Sequence, residues 1–364
     1  MKVKRRKTDQ VTIGGVRIGG TSPISIQSMS KSKTSDVRAT TAQIKRLERA
    51  GCEIVRVSVK DARDAAAIRP IKKKIGIPIV ADIHFDHRLA ILAMDAGADK
   101  IRINPGNIPT MDRLREVAAR ARSKGIPIRI GINSGSIPRI GTRAPDMASY
   151  ALRYARALER TGFHDIVISL KSQNIVETID AYRKVSRRCD YPLHLGITAA
   201  GLPYEGTIRS AIGIGALLAD GIGDTIRVSL TGEPEEEIKA ARAILGALGL
   251  RRFEPEIISC PTCGRCQVDL VPIVSKFKKE LDKLVTKRRS CGLWTVDCGL
   301  NNLRIAVMGC EVNGPGEASI ADIGIAAGKG QGTLFKKGKI LRKVKEKDFV
   351  GELIKELKQM TVNG

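Results

Sequence analysis

Short apolar, β-branched runs recur along the first two thirds of the chain, and a stretch with helical periodicity separates each from the next. The runs predict strands at 24–28, 54–58, 78–83, 100–103, 127–132, 165–170, 192–197 and 225–230. Between them lie amphipathic segments such as 38–50 and 147–160, several of which stop at a glycine: Gly51, Gly97, Gly125 and Gly162. Glycine alone turns left-handed without a Cβ penalty, so it marks helix ends. Eight β-then-α units over about 245 residues predict an α/β fold, a TIM (β/α)8 barrel. A doubly wound open sheet shares this periodicity and stays as the alternative. No Gly-x-Gly-x-x-Gly opens a helix after the first strand, which weighs against its dinucleotide-binding form.

The pattern changes near residue 250. The stretch 251–256 is charged and holds Pro255; a cysteine-rich part follows. Beyond it the sequence predicts a helix at 268–288, strands near 303–308 and 320–326, a glycine-rich hairpin near 328–341 and a last amphipathic helix at 347–360. The expected division is a substrate-binding barrel over 1–250 and a small α/β domain over 251–364.

In a parallel barrel the chemistry sits at the carboxyl ends of the strands. There the sequence places Arg56 and Ser58, Asp82 and His84, Arg102, Asn104 and Asn107, and Arg129 and Asn133. Ser169 and Lys171, His194 and Thr198, and Arg227 and Ser229 complete the set. A single Arg reads as a surface charge, and a single His as a satisfied core residue. Arg56, Arg102, Arg129 and Arg227 stand instead at equivalent places within otherwise apolar strands. Burying isolated charges costs several kcal/mol each. The four predict a cationic pocket for an anion, and guanidinium forks match phosphate oxygens in pairs, so a diphosphate is expected.

Net charge is +25, which implies acidic partners or substrates. Much of it lies in residues 2–7 and in Lys336, Lys337, Lys339, Lys343, Lys345 and Lys347. Aromatics are 3% of the chain, too few for the stacking that single-stranded nucleic acid needs. No apolar run reaches the ~18 residues of a membrane helix, and no apolar segment follows Arg5-Arg6. A cytoplasmic protein with no membrane partner is therefore expected.

The chain has eight cysteines and no secretory signal, which points to metal or redox use rather than disulfides. Cys260-Pro-Thr-Cys263-Gly-Arg-Cys266 contains two Cys-x-x-Cys steps; Cys291, Cys298 and Cys310 come later. Spacing supports Cys260 and Cys263 as ligands of one centre and leaves the other four in competition. Zinc remains the alternative to an iron–sulfur cluster. Cys52 and Cys189 fit small core residues.

Several longer segments are distinctive: Ile26-Gln-Ser-Met29, Val55-Arg-Val-Ser58, Ala81-Asp-Ile-His-Phe85, Arg102-Ile-Asn-Pro-Gly-Asn107 and Pro127-Ile-Arg-Ile-Gly131. Further on stand His194-Leu-Gly-Ile-Thr198, Gly221 to Ser229, Ser259-Cys-Pro-Thr-Cys263 and Gly309-Cys-Glu-Val-Asn-Gly-Pro-Gly-Glu317. With these the chain resembles, over nearly its whole length, the bacterial 4-hydroxy-3-methylbut-2-enyl diphosphate synthases of the non-mevalonate isoprenoid pathway.

The resemblance implies a TIM barrel with a C-terminal small α/β iron–sulfur domain. It implies a homodimer in which the small domain of one subunit closes over the other's barrel mouth. It maps a [4Fe–4S] cluster onto Cys260, Cys263, Cys310 and Glu317. The implied reaction is two-electron reductive ring opening and dehydration of 2-C-methyl-D-erythritol 2,4-cyclodiphosphate, with an acidic ferredoxin or flavodoxin as electron donor. The cyclic diphosphate would be held by Arg56, Arg102, Asn104, Arg129, Asn133, Lys171, His194, Arg227 and Ser229. Catalytic roles would fall to Glu317, His84, Asp82 and Thr198.

Three positions depart from the family pattern. Ala199 stands where the family has a glutamate proposed as acid/base, so a cluster-bearing homologue with altered or lost activity is the second functional expectation. Cys266 stands where the family usually has no cysteine. The stretch between Cys263 and Cys310 is longer than is usual and carries Cys291 and Cys298 around Trp294.

Overall fold

A hairpin not foreseen above opens the chain: β1 (Gln10–Ile13) and β2 (Val16–Gly19) pair antiparallel. Its sequence, Val-Thr-Ile-Gly-Gly-Val-Arg-Ile, is two alternating runs around a glycine pair, and Gly14 turns at φ 56°. Val11, Ile13 and Ile18 pack on Ile54, Val80 and Val167, which stand near the starts of three later strands. The hairpin thus plugs the amino end of the sheet that follows.

That sheet comprises β3 (Ser25–Met29), β4 (Ile54–Val59), β5 (Ile79–Ile83), β6 (Lys100–Ile103), β7 (Ile128–Asn133), β8 (Ile166–Lys171), β9 (His194–Leu195) and β10 (Thr225–Ile226). A computed structural model supplies these coordinates, describing residues 3–84, 86–105, 110–137, 146–289, 300–312, 316 and 320–360. Strand order is β8-β7-β6-β5-β4-β3-β10-β9, and all the pairings within it are parallel. A parallel bridge between Ile168 and Leu193 joins the two ends, so the sheet closes and the open-sheet alternative falls.

Eight helices alternate with these strands: α1 (Val37–Ala50), α2 (Ala62–Lys72), α3 (His87–Asp95), α4 (Met111–Lys124), α5 (Met147–Glu159), α6 (Ile175–Ser186), α7 (Pro203–Ala219) and α8 (Pro234–Ala247). Asp36, Asp61, Asp86, Asp146 and Asn174 each accept a backbone N–H of the helix they precede, which satisfies donors the first turn leaves unpaired. Gly51 at φ 99° and Gly125 at φ 62° end α1 and α4 as foreseen. The strands' outward residues, among them Ile26, Val55, Val57 and Ile101, are fully buried, as a helix-covered sheet requires.

Contacts divide the chain into two compact units, Met1–Arg251 and Arg252–Gly364. The second contains β11 (Glu256–Ser259), α9 (Leu270–Arg289), β12 (Arg304–Met308), β13 (Ile323–Gly328), β14 (Gln331–Lys336), β15 (Lys339–Lys345) and α10 (Phe349–Met360). The sheet runs β11-β12-β13-β14-β15, its first three strands parallel and its last two antiparallel. Phe277 and Leu281 of α9 and Phe349, Leu353 and Leu357 of α10 cover one face over Ile305, Val307, Ile323 and Ile325. Each fully buried large side chain stabilises by ~1.5–3 kcal/mol. β11 escaped the sequence reading because its short Ile-Ile core sits directly behind Pro255 and a charged run. Among the described residues no helix is long and apolar enough to cross a membrane.

Candidate active site

Alternation sends Gln27 and Met29 of β3, Arg56 of β4, Asp82 of β5, Lys100 and Arg102 of β6, Arg129 of β7 and Lys171 of β8 into the barrel. Asp82 organises this cationic interior. Arg102 donates from Nη1 to Asp82 Oδ1 at 3.0 Å and from Nη2 to the Gly131 carbonyl at 3.0 Å. Arg56 Nε lies 3.6 Å from Asp82 Oδ2, and His84 Nε2 lies 3.7 Å from the same oxygen. Burial alone would raise the Asp82 carboxyl; Arg56 and Arg102, with His84 and Arg129, override it and hold it at about 2. At neutral pH Asp82 is a carboxylate with no proton to give.

The cations around it outnumber it. Arg129 is fully buried and donates to Gln27 Oε1 at 3.2 Å, while its Nε has no hydrogen-bond partner among the described residues. Burial, then repulsion from Arg56 and Arg102, pushes its guanidinium well down. Lys171 is buried, and its ammonium is pushed well down by burial and then by Arg56 and Arg227. Burial, opposed by Asp82, brings Arg56 down to about 10, and the same side chain reaches Met29 Sδ through Nε at 3.1 Å and Nη2 at 2.9 Å. An anion entering here would relieve repulsion that the protein alone leaves standing.

Two glycines make room for these side chains. A Cβ at Gly131 would collide with the Arg102 guanidinium, and one at Gly196 would stand 2.7 Å from Lys171 Nζ. Gly131→Ala is therefore expected to push Arg102 off Asp82, destabilising by about 1–3 kcal/mol, the usual range for overpacking. Diphosphate affinity should fall at least tenfold, as calorimetry on the variant would show.

The sequence-predicted residues do not all play alike. Arg227 is committed to Glu237 of α8, donating from Nε at 3.3 Å and from Nη2 at 3.1 Å. Glu237 also accepts from Ser28 Oγ at 2.9 Å and is 1% exposed. His194 is fully buried and neutral, pushed down by burial and then by Arg129. Its Nδ1 stands 3.4 Å from Thr225 Oγ1, and its Nε2 has no hydrogen-bond partner among the described residues. Asn104 donates to Ser136 Oγ at 2.9 Å, and Ser136 in turn donates to the Asn133 carbonyl at 2.7 Å. Thr198 and Ser229 are half-buried. Asn107 and Glu317 lie outside the described residues.

Sequence reasoning missed Lys100, which is fully buried with no hydrogen-bond partner for Nζ among the described residues. Its ammonium is pushed well down by burial and then by Arg129 and Arg56. The signal was available: Lys100 and Arg102 share an inward face of one apolar strand.

Ala199 is exposed at φ 50° in the segment leading to α7, and Glu205 is exposed in that helix's first turn. A left-handed alanine carries a penalty of about 1 kcal/mol that glycine escapes. Ala199→Gly is expected to stabilise by about that amount, read as a higher denaturation midpoint in urea.

In the second unit, Cys260 follows β11 and Cys310 follows β12, so both leave the parallel sheet at its carboxyl end. The Gly309 N–H donates to Cys260 Sγ at 3.2 Å. Gly309 is a cradle: a Cβ there would meet Cys266 Sγ and stand 3.6 Å from Cys260 Sγ. Cys266 Sγ also donates to the Val268 carbonyl at 3.2 Å, so this thiol belongs to the same pocket as Cys260. Cys263 is exposed, and the Arg265 N–H lowers its thiol, favouring the thiolate that binds metal. Cys310 is close enough to act electrostatically on it. No three His, Cys, Asp or Glu side chains among the described residues stand grouped to hold a metal ion. Cys291 and Cys298 lie outside those residues. The donor set fits a metal–sulfur group: thiols at the ends of two adjacent strands, a backbone N–H on one sulfur, and a glycine keeping space beside it.

A closed parallel barrel with a cationic interior, followed by a cysteine-bearing α/β unit, defines a two-domain protein of the TIM-barrel class. The profile for the GcpE TIM-barrel domain matches residues 8–242, and that for the GcpE protein C-terminal domain matches residues 256–359. The chain belongs to the GcpE family. It is 51% identical over 364 residues to a Ruminiclostridium cellulolyticum protein named 4-hydroxy-3-methylbut-2-en-1-yl diphosphate synthase (flavodoxin), covering 98% of this chain and 99% of the relative. A Clostridium perfringens protein of the same name is 51% identical over 359 residues, covering 97% and 99%. Among solved structures, dihydropteroate synthase from Stenotrophomonas maltophilia aligns with a TM-score of 0.51 at 14% identity, over 66% of this chain and 98% of that one. That likeness concerns the barrel fold alone.

Proposed function

We propose that this chain is an iron–sulfur oxidoreductase of isoprenoid biosynthesis. It opens 2-C-methyl-D-erythritol 2,4-cyclodiphosphate to 4-hydroxy-3-methylbut-2-enyl diphosphate, taking in two electrons and two protons and releasing water. The observation that carries this reading is the set of Arg56, Arg102 and Arg129 around the Asp82 carboxylate with Lys171 beside the arginines, an excess of buried and half-buried cations that a diphosphate would neutralise. The names of the relatives support it.

A [4Fe–4S] cluster would be held by Cys260, Cys263, Cys310 and Glu317, and when bound supplies electrons and a Lewis-acidic iron. Arg56, Arg102, Arg129 and Lys171 bind the two phosphates; Arg227, already neutralised by Glu237, orients the wall beside them. Asp82 acts by aiming Arg56 and Arg102. His84, Asn104, Asn133 and Thr198 hydrogen-bond the hydroxyl groups, and neutral His194 lies deeper in the barrel. A flavodoxin or ferredoxin delivers the electrons, and two copies of the chain assemble as a homodimer in the cytoplasm. Calorimetric titration of the cyclic diphosphate tests the pocket. Arg129→Met should weaken binding at least tenfold; unchanged affinity would remove Arg129 from the site.

A further inference from the structure

The β15 edge of the second unit carries chemistry that neither the barrel interior nor the cysteine pocket uses. β15 is the last strand of its sheet, and six of its seven residues are exposed. Ile340 is 75% exposed and Leu341 42%, between Lys339 and Lys343. Beside the strand lies an open groove of about 860 Å³ lined by Lys276, Lys343, Lys345, Lys347 and Lys355, which outnumber its acidic residues Glu280, Asp348 and Glu352.

Register fixes where this edge stands relative to the cysteines. Met308 pairs with Ala326, Ala326 with Thr333, and Thr333 with Lys343. Partners in register stand level across the sheet, so Lys343 stands level with Met308, two residues before Cys310. Three inter-strand steps separate β15 from β12, or about 15 Å. Lys345, two residues on, lies still closer to the sheet end where Cys260 and Cys310 leave. A carrier seated here lies against the same sheet whose strand ends carry Cys260 and Cys310.

Edge lysines also block strand pairing between copies. That role alone asks for a few charges on a polar edge, yet here exposed Ile340 and Leu341 lie among the lysines. Apolar side chains ringed by like charge make a surface for an oppositely charged protein. A second copy is a poor occupant: antiparallel self-pairing of β15 would oppose lysines to lysines.

We propose that the β15 edge, with Lys343, Lys345 and Lys347, is the docking surface for an acidic electron-carrier protein of the flavodoxin class. The proposal deepens the oxidoreductase reading and rests on it. The carrier lies against the strand's outer edge with its acidic rim over the three lysines and an apolar patch on Ile340 and Leu341.

The test uses the full, cluster-loaded chain and oxidised flavodoxin, with affinity measured by calorimetry at low and at physiological salt. Lys343→Glu, Lys345→Glu and Lys347→Glu together should weaken flavodoxin binding at least tenfold. Turnover of the cyclic diphosphate driven by dithionite should stay at the unaltered level. A control with Lys73→Glu, Lys74→Glu and Arg113→Glu, exposed in the barrel unit, makes the same charge change and should bind flavodoxin as the unaltered chain does. Unchanged binding in the β15 variant, or equal loss in the control, overturns the proposal. So does a preference of the β15 lysines for a DNA or RNA oligonucleotide over flavodoxin. Absence of dithionite-driven turnover in the unaltered chain would count against the oxidoreductase reading instead, and the binding result would still judge the surface.

Discussion

Asp82→Asn should destabilise the chain by about 3 kcal/mol and abolish tight diphosphate binding. Removing one partner of a buried ion pair leaves the other charge uncompensated, and that is the expensive half of the change. Asp82 is 3% exposed and faces Arg56, Arg102 and His84, so three neighbours lose their anchor at once. Asparagine keeps the shape and one acceptor, which isolates the charge. The same residue predicts a pH dependence. Its folded pKa of about 2 lies below the ordinary 3.8, so its contribution is present above about pH 4 and is lost as pH falls towards 2. The amount at stake is about 2 kcal/mol. Urea denaturation at pH 7 and pH 3 should therefore show a gap between the unaltered chain and Asp82→Asn at pH 7 that narrows at pH 3. A gap that is constant with pH would show that Asp82 acts by packing rather than by charge.

Cys263→Ser is expected to have the largest effect on activity. Cys263 is exposed, so serine there should leave the cluster-free chain's stability within about 0.5 kcal/mol of the unaltered one. A hydroxyl does not replace a thiolate as an iron ligand, so iron and sulfide bound after anaerobic reconstitution should fall from about four each per chain to less than half. Reductive turnover should fall by at least about a thousandfold. The pairing of normal cluster-free stability with lost iron separates a ligand from a structural residue. Cys266→Ser is the companion: its thiol sits against Gly309 beside Cys260, and intact iron content in that variant would leave it as a neighbour of the ligands.

Much of the barrel could be read in the chain because each inward and outward position obeys a period of two, and glycines mark the helix ends. What escaped were elements whose meaning is tertiary. The β1–β2 hairpin carries a legible turn, but only its packing on Ile54, Val80 and Val167 shows it to be a plug. β11 is too short to signal itself and exists because β12 pairs with it.

The site divided the same way. Arg56, Arg102 and Arg129 were legible as charges in apolar strands, and Asp82 as their neighbour. Glu237 was not, since it is one of three consecutive glutamates at the start of a helix, and only the fold shows that it is the buried one that takes Arg227. Lys100 was missed because strand-end reasoning looks towards the carboxyl end, and Lys100 opens its strand. Gly131 and Gly196 are the same lesson in reverse: an inward glycine is room left for a neighbouring strand's long cation.

The central claim is that this chain reduces a cyclic diphosphate. Its most direct test is anaerobic mixing of the cluster-loaded chain with reduced flavodoxin and 2-C-methyl-D-erythritol 2,4-cyclodiphosphate, followed by phosphorus NMR. The account predicts that the cyclic signals give way to those of a linear allylic diphosphate, one molecule for every two electrons consumed. Unchanged cyclic diphosphate, with the cluster's iron intact and the flavodoxin still reduced, would contradict it.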